Sequence, residues 1–471
     1  MLTLGDILEA LTHQPFGDAK QPITDAVVDS RLVIPGALFI ALPGERQDGH
    51  DFVQDAFQRG AQIAFIQRPV ETQFPILDLQ TLSLQQPIPT LPFCLLVPDS
   101  LKALQDTARF WRRKLNVKVV GITGSVGKST TKELIAEVLG RSYSTLKSPG
   151  NLNNEIGLPL TILHLSESHQ RAVLEMGFYV PGEIAFLCDI ALPQIGVVTN
   201  VGTVHAERAG SQEVIAQGKS ELVQALPPAP EGVAILNIDD PFVRGMASKT
   251  QARVFFYGLD AQADLWADEI QSHGLEGISF RVHYHNEILY LRVPLLGRHS
   301  VHTALRAIAV GLVDGLSWQE IVHGLQSTPI QLRLAVVRTQ QGALILDDSY
   351  NAAPESSLAA LNLLEDLDGR KIAVLGDMLE LGIYEMHGHE IVGRRAAEVA
   401  DLLITVGERG KIIAASARRA GMKSEQIHEV QEAMQAIPLL EKELHEGDVV
   451  LVKGSHGMRM DRIVSALEIH E

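Results

Sequence analysis

Residues 118–131 read Lys118-Val119-Val120-Gly121-Ile122-Thr123-Gly124-Ser125-Val126-Gly127-Lys128-Ser129-Thr130-Thr131. A β-branched apolar run closes on glycines and a Lys-Ser pair. The chain then continues as a helical pattern with Leu134, Ile135, Val138 and Leu139 on one face. Strand, glycine-rich turn and helix, in that order, predict a phosphate-binding loop. Glycines let the backbone approach phosphate oxygens, and N–H groups at the helix start favour negative charge. Lys128 would reach the β- and γ-phosphates, and the Ser129 hydroxyl suits Mg²⁺. The spacing departs from the strict phosphate-loop form, because Ile122 stands where the first glycine is expected, between Gly121 and Gly124. A glycine-rich turn with a surface lysine is the plainer alternative, but it gives the ordered strand, glycines and helix no purpose. The stretch therefore predicts a nucleoside triphosphate site.

Outward from this loop, apolar strand-like runs recur at 172–177 (AVLEMG), 195–202 (IGVVTNVG) and 232–239 (GVAILNID), with helical stretches between them. Such alternation argues an α/β fold whose mostly parallel sheet is covered on both faces. A break falls near Thr328-Pro329. Beyond it, runs at 343–349, 371–377, 401–407 and 448–454 predict a second, Rossmann-like α/β sheet. Upstream, LFIAL (38–42) suits a strand. Residues 69–98 carry six prolines and read as a loop-rich edge before a boundary. A helix is expected behind Asp99-Ser100 as its N-cap. The expected domains are 1–97, 98–328 and 329–471.

The chain has 471 residues, 46% hydrophobic and 21% charged, the balance of a globular protein. Its formal net charge of −17 argues against sequence-independent nucleic-acid binding, which needs a basic face. Two cysteines, Cys94 and Cys188, are too few for a disulfide scaffold and are expected as reduced, buried thiols. The start, MLTLGDILEALTHQ, lacks a basic n-region. No apolar window is long enough for a membrane span, so a cytoplasmic protein is expected.

Further motifs follow in order. Asp29-Ser30-Arg31 precedes PGALFIALPGERQDGHDF. Asn151-Leu152-Asn153-Asn154 follows the phosphate loop, then Glu175-Met176-Gly177 with Pro181-Gly182-Glu183. After these come NVGTVHAERAGS, Lys219, Arg333-Leu334, DDSYNAAP (347–354), GDMLELG (376–382) and VLVKGSHGMRM (450–460). Across nearly its whole length the sequence resembles the ATP-dependent Mur ligases. The resemblance implies three domains: a small α/β N-terminal UDP-binding domain, a central P-loop ATPase-like domain and a C-terminal Rossmann-like domain. It implies an ATP-dependent carboxylate–amine ligase that works through an acyl phosphate, as a monomer. GDMLELG and VLVKGSHGMRM look like the members that add D-alanyl-D-alanine to UDP-N-acetylmuramoyl-tripeptide in peptidoglycan synthesis, which serves cell shape and division. The relatives that add a single amino acid, or polyglutamylate folate, fit these segments less well.

Site residues follow from both arguments. Glu175 ends a predicted strand, where ligands gather in open α/β sheets, and with Ser129 forms the natural Mg²⁺ site. His205 alone reads as a structural hydrogen-bonder, and Lys219 as an exposed lysine on an amphipathic helix. The resemblance makes both of them ligands of two Mg²⁺ ions, with Lys219 carbamylated to N-carboxylysine. It also implies catalytic roles for Lys128, Lys219, His205 and Arg333. The amides of Asn153 and Asn154 bind substrate or cap a helix, and Ser30 and Arg31 are carried over as substrate contacts. ATP is expected on Gly124, Ser125, Val126, Gly127, Lys128, Ser129 and Thr130, with His299, Thr303, Arg333, Asp348, Tyr350 and Asn351. Arg333 offers γ-phosphate a planar, permanently charged fork. Asp348 would hold ribose hydroxyls or that arginine, and Asp347 would cap a turn.

Two departures stand out. Gly297-Arg298-His299-Ser300-Val301-His302-Thr303 replaces the family's His-Asn-x-x-Asn. One hydroxyl cannot reproduce an asparagine's bidentate pairing with adenine. His456 stands where an arginine is common, and is only partly charged at neutral pH. These changes keep open a nucleotide-binding scaffold without ligase activity. A small-molecule P-loop kinase would leave the 329–471 sheet without a purpose.

Overall fold

The computed structural model describes residues 1–44, 47–81, 88–203, 206–327 and 335–469. Three sheets follow one another along the chain. The first holds β1 (Ala26–Val27), β2 (Leu38–Ile40), β3 (Ile63–Ile66), β4 (Ile76–Asp78) and β5 (Phe93–Leu96). Its order is β1-β2-β3-β5-β4 and every pairing is parallel. The stretch 69–98, expected as a loop-rich edge, thus contributes an interior strand. Pro92 and Pro98 flank β5 rather than interrupt it, so its ladder keeps every donor.

The second sheet has nine strands: β6 (Lys118–Thr123), β7 (Thr145–Lys147), β8 (Arg171–Glu175), β9 (Ile195–Val198), β10 (Val233–Asn237), β11 (Arg253–Gly258), β12 (Leu265–Ser272), β13 (Ile278–Tyr284) and β14 (Glu287–Val293). They are ordered β14-β13-β12-β11-β10-β9-β6-β8-β7. Strands β9 and β10 are buried throughout and β6 nearly so, as apolar runs of a two-sided parallel sheet should be. The sequence reading lacked the antiparallel wing β12–β14. Its strands alternate buried and open positions, so no continuous apolar run marks them.

The third sheet comprises β15 (Ala335–Arg338), β16 (Leu344–Asp348), β17 (Lys371–Gly376), β18 (Leu402–Val406), β19 (Ile427–Val430) and β20 (Val449–Lys453). It runs β15-β16-β20-β17-β18-β19, parallel except at the β15 edge. Helices cover both faces, which creates two separate cores. This is the α/β architecture expected.

The helix Ser100–Lys114 starts at Asp99, whose Oδ1 accepts from the Lys102 N–H at 2.9 Å. It wedges between the first sheet and the helices Gly157–Leu163 and Glu183–Ala191. Leu104, Ala108 and Trp111 thereby join both layers in one apolar core. Arg112, buried on the same helix, donates to the carbonyls of Leu115, Val117, Ala191 and Leu192. Both cysteines are free and buried. Among the described residues no helix is long and apolar enough to cross a membrane.

Candidate active site

The phosphate loop leaves β6 at Thr123 and enters the helix Lys128–Leu139. Gly124 and Gly127 have φ of +147° and +83°, which L side chains rarely adopt. A Cβ on Gly124 would also collide with the Thr199 side chain. The end of β9 holds the loop from beneath. Asn200 Oδ1 accepts from the Val126 N–H at 2.9 Å, and Thr199 Oγ1 donates to the Val126 carbonyl at 2.7 Å. Gly202 N–H donates to Ser125 Oγ at 2.8 Å. The loop is therefore preformed, with Lys128 Nζ donating to its own Gly124 carbonyl at 2.8 Å.

Ser129 and Glu175 meet as expected. Ser129 Oγ donates to Glu175 Oε2 at 2.6 Å, and Asn153 Nδ2 donates to Oε1 at 2.9 Å. Asn154 instead turns its Oδ1 to the Gly157 N–H at 2.9 Å, at the start of the next helix. Glu175 is almost wholly buried at the end of β8. Hydroxyl and carboxylate oxygens are the hard donors Mg²⁺ prefers. Among the described residues no three His, Cys, Asp or Glu side chains converge. An ion here would lean on this pair and on a ligand's phosphates, as Mg²⁺ commonly does.

Lys219 lies on the helix Gln212–Gln224, and it is buried rather than exposed. Its Nζ sits 5.0 Å over the Phe178 ring and makes no hydrogen bond or ion pair among the described residues. Burial, and then the charge of Lys128, push its pKa well below the usual lysine range. His205 and Arg333 fall outside the described residues.

A cleft of about 420 Å³ runs from the phosphate loop to the ends of β16 and β20. Ser125, Val126, Gly127, Lys128, Ser129 and Thr130 line one side, and Asp348, Tyr350 and Asn351 the other. His299 and Thr303 line it from the helical segment after β14, where burial first, and then the charges of His302, Arg306 and Lys453, push the His299 pKa down. Asp348 is held by Lys453, whose Nζ reaches it at 2.6 Å and the Asn351 carbonyl at 2.9 Å. Asp347 accepts from the Ser349 N–H at 3.0 Å, the turn cap expected. Ser30 and Arg31 lie apart from this cleft, in the turn Ser30–Leu32 of the first layer. There Arg31 pairs with Asp29 at 2.6 Å.

Sequence reasoning gave no role to Lys453 or Asn200. Lys453 had a readable signal, a charge ending an apolar strand at a carboxyl edge. Asn200 opens the motif NVGTVHAERAGS, but its task depends on β9 lying beside β6, which no local pattern shows.

Residues 23–87 match the Mur ligase family, catalytic domain. Residues 122–311 match the Mur ligase middle domain, and 332–456 the Mur ligase, glutamate ligase domain. A Bacillus subtilis relative, UDP-N-acetylmuramoyl-tripeptide–D-alanyl-D-alanine ligase, is 36% identical over 94% of this chain and 93% of its own. The chain belongs to the Mur ligase family. Two solved structures resemble this Mur ligase over nearly their whole length. MurF from Acinetobacter baumannii has a TM-score of 0.83 at 30% identity, covering 98% of each chain. MurF ligase from Thermotoga maritima, in complex with ADP, has a TM-score of 0.78 at 28% identity, covering 97% of each. The phosphate loop, the Ser129–Glu175 pair and the facing third sheet are thus the central features of this Mur ligase's cleft.

Proposed function

We propose that this Mur ligase joins D-alanyl-D-alanine to the tripeptide carboxylate of UDP-N-acetylmuramoyl-tripeptide, at the expense of ATP, in the making of peptidoglycan precursors. The observation that carries this is the near full-length likeness to the ligase of that name, 36% identical. A carboxylate oxygen attacks the γ-phosphorus and ADP departs, leaving an acyl phosphate. The dipeptide amine then attacks the acyl carbon, and phosphate and a proton leave. Two anions must approach in the first step, so catalysis is positioning plus charge stabilisation.

The side chains of the site divide the work in this reading. The loop N–H groups and Lys128 hold the polyphosphate. Ser129 and Glu175 would hold Mg²⁺, which would screen the anions. Asn153 fixes Glu175 by its 2.9 Å hydrogen bond. Lys219, buried and with its pKa pushed below the usual lysine range, would add to CO₂ with loss of a proton, and the carbamate would supply a second anionic ligand for a metal ion. His205 and Arg333 keep the roles the family resemblance implies, a second metal ligand and a γ-phosphate clamp. Lys453 orients Asp348 toward the nucleotide. Ser30, Arg31 and Asn154 remain assigned to the UDP-linked substrate, and Asn154 also caps its helix. The enzyme acts as a cytoplasmic monomer.

The test is phosphate release with ATP, UDP-N-acetylmuramoyl-tripeptide and a series of acceptors, with the product weighed by mass spectrometry. Release stimulated by D-alanyl-D-alanine, with a product heavier by that dipeptide less water, is expected. Release driven equally well by single amino acids would point to another ligase of the family. ATP binding with no product from any acceptor would favour the scaffold reading.

A further inference from the structure

Arg306 lies on the helix Val301–Val313, one turn beyond Thr303. It is only 4% exposed and lines the cleft. Two neighbours fix its guanidinium. Nη2 donates to Thr303 Oγ1 at 2.8 Å and Nη1 to the Tyr257 hydroxyl at 3.2 Å. The Tyr257 hydroxyl in turn lies 3.3 Å from the Thr199 carbonyl. Thr199 is the residue that grips Val126 in the phosphate loop. The cation therefore belongs to the same frame as the loop. A Cβ built on Gly127 would meet Arg306 Nη2 at 3.4 Å. The guanidinium stands beside the glycine that precedes Lys128.

No carboxylate pairs with Arg306 among the described residues, and its buried Nε has no hydrogen-bond partner. Arg112 shows the contrast. It is buried to the same 4%, yet spreads its N–H groups over four backbone carbonyls. A buried charge without compensation is costly, and folded proteins pair such groups. The partner missing at Arg306 is an anion, and the open side of the group is the cleft floor beside the phosphate loop.

We propose that Arg306 is a second phosphate-binding cation of the nucleotide site, meeting a polyphosphate oxygen near Gly127 and adding permanent charge to that of Lys128. This rests on the reading that the cleft takes ATP. Arginine suits the task because its fork stays charged and retains donors after Thr303 and Tyr257 are served. It also gives Thr303 a use other than base pairing, as the acceptor that aims the fork.

The experiment compares the full chain with Arg306→Met and Arg306→Lys. Affinities for ADP, AMP and adenosine are measured by calorimetry, and the nucleotide-free proteins are melted. In Arg306→Met, ADP should bind about tenfold more weakly or worse, the loss of one charge-assisted hydrogen bond. Adenosine should bind as before, and Arg306→Lys should recover part of the ADP affinity. The nucleotide-free Arg306→Met protein should melt no lower than the parent, because an uncompensated charge has gone. ADP affinity that survives in Arg306→Met would overturn the proposal. So would equal losses for ADP and adenosine, which would mark a packing role. A parent that binds no ADP would overturn the nucleotide reading of the cleft instead.

Discussion

Glu175 is gripped on both oxygens before any ligand arrives, by Ser129 on one and Asn153 on the other. Lys219, over the Phe178 ring, has the opposite situation, with burial and no polar partner among the described residues. Burial favours the neutral form of its amine, the form that adds to CO₂. Lys219→Ala should slow ligation by about 100-fold, the scale on which misplaced charge costs an active site. Short carboxylic acids added to that variant should restore part of the rate, and a variant as fast as the parent would overturn the proposed carbamate. The cysteines make a second prediction at this scale. Burial raises the Cys94 thiol to about 12, and burial with the Glu221 charge raises Cys188 further. Neither should react with a thiol-specific disulfide reagent at neutral pH until denaturant is added. Prompt reaction of the native protein would show that one of them reaches solvent.

At the scale of elements, what could be read in advance depended on whether a signal was local. The phosphate loop was legible because strand, glycines, lysine and helix are neighbours in the chain. So was the helix at Asp99, whose cap lies within three residues. Strand β5 was hidden by the prolines on either side of it. The wing β12–β14 was hidden because its buried positions are interleaved with more open ones. The Asn153–Glu175 bond spans 22 positions, and nothing near Asn153 announces it. The helix Trp318–Gln326 supplies the prediction here. Its capping residue Ser317 and the distant Ser142 both donate to Glu320, which holds that carboxyl down to about 2. Below the ordinary glutamate value of 4.5, the unfolded chain takes up a proton there and the folded one does not. The stability this cap contributes is full above that value and is lost as pH falls toward about 2. Denaturant midpoints should therefore decline with acid less steeply in Glu320→Gln than in the parent, and identical slopes would refute the cap.

At the scale of the molecule, the three sheets are not three equal bodies. The buried residues of the first two share an apolar core that runs from Leu2 to Ala252, whereas those of the third form cores of their own, with the partly buried Tyr384 and Leu296 packing across the seam. Heating should therefore give two calorimetric transitions, one for the layers within residues 1–327 and one for those within 335–469. ADP touches both sides of the cleft in the proposed site. Saturating ADP should raise both transitions and draw them together, by linkage. A ligand effect confined to one transition would place the nucleotide on one layer alone.

The wedge helix Ser100–Lys114 has a mechanical consequence. Leu104, Ala108 and Trp111 are seated in apolar surroundings common to two layers, and Arg112 rivets the far end to four carbonyls. Swinging the N-terminal layer would tear that seating open to water. Any hinge that brings acceptor and donor together is thus expected at the other seam, with the last sheet closing on the amino-terminal two-thirds as on an anvil.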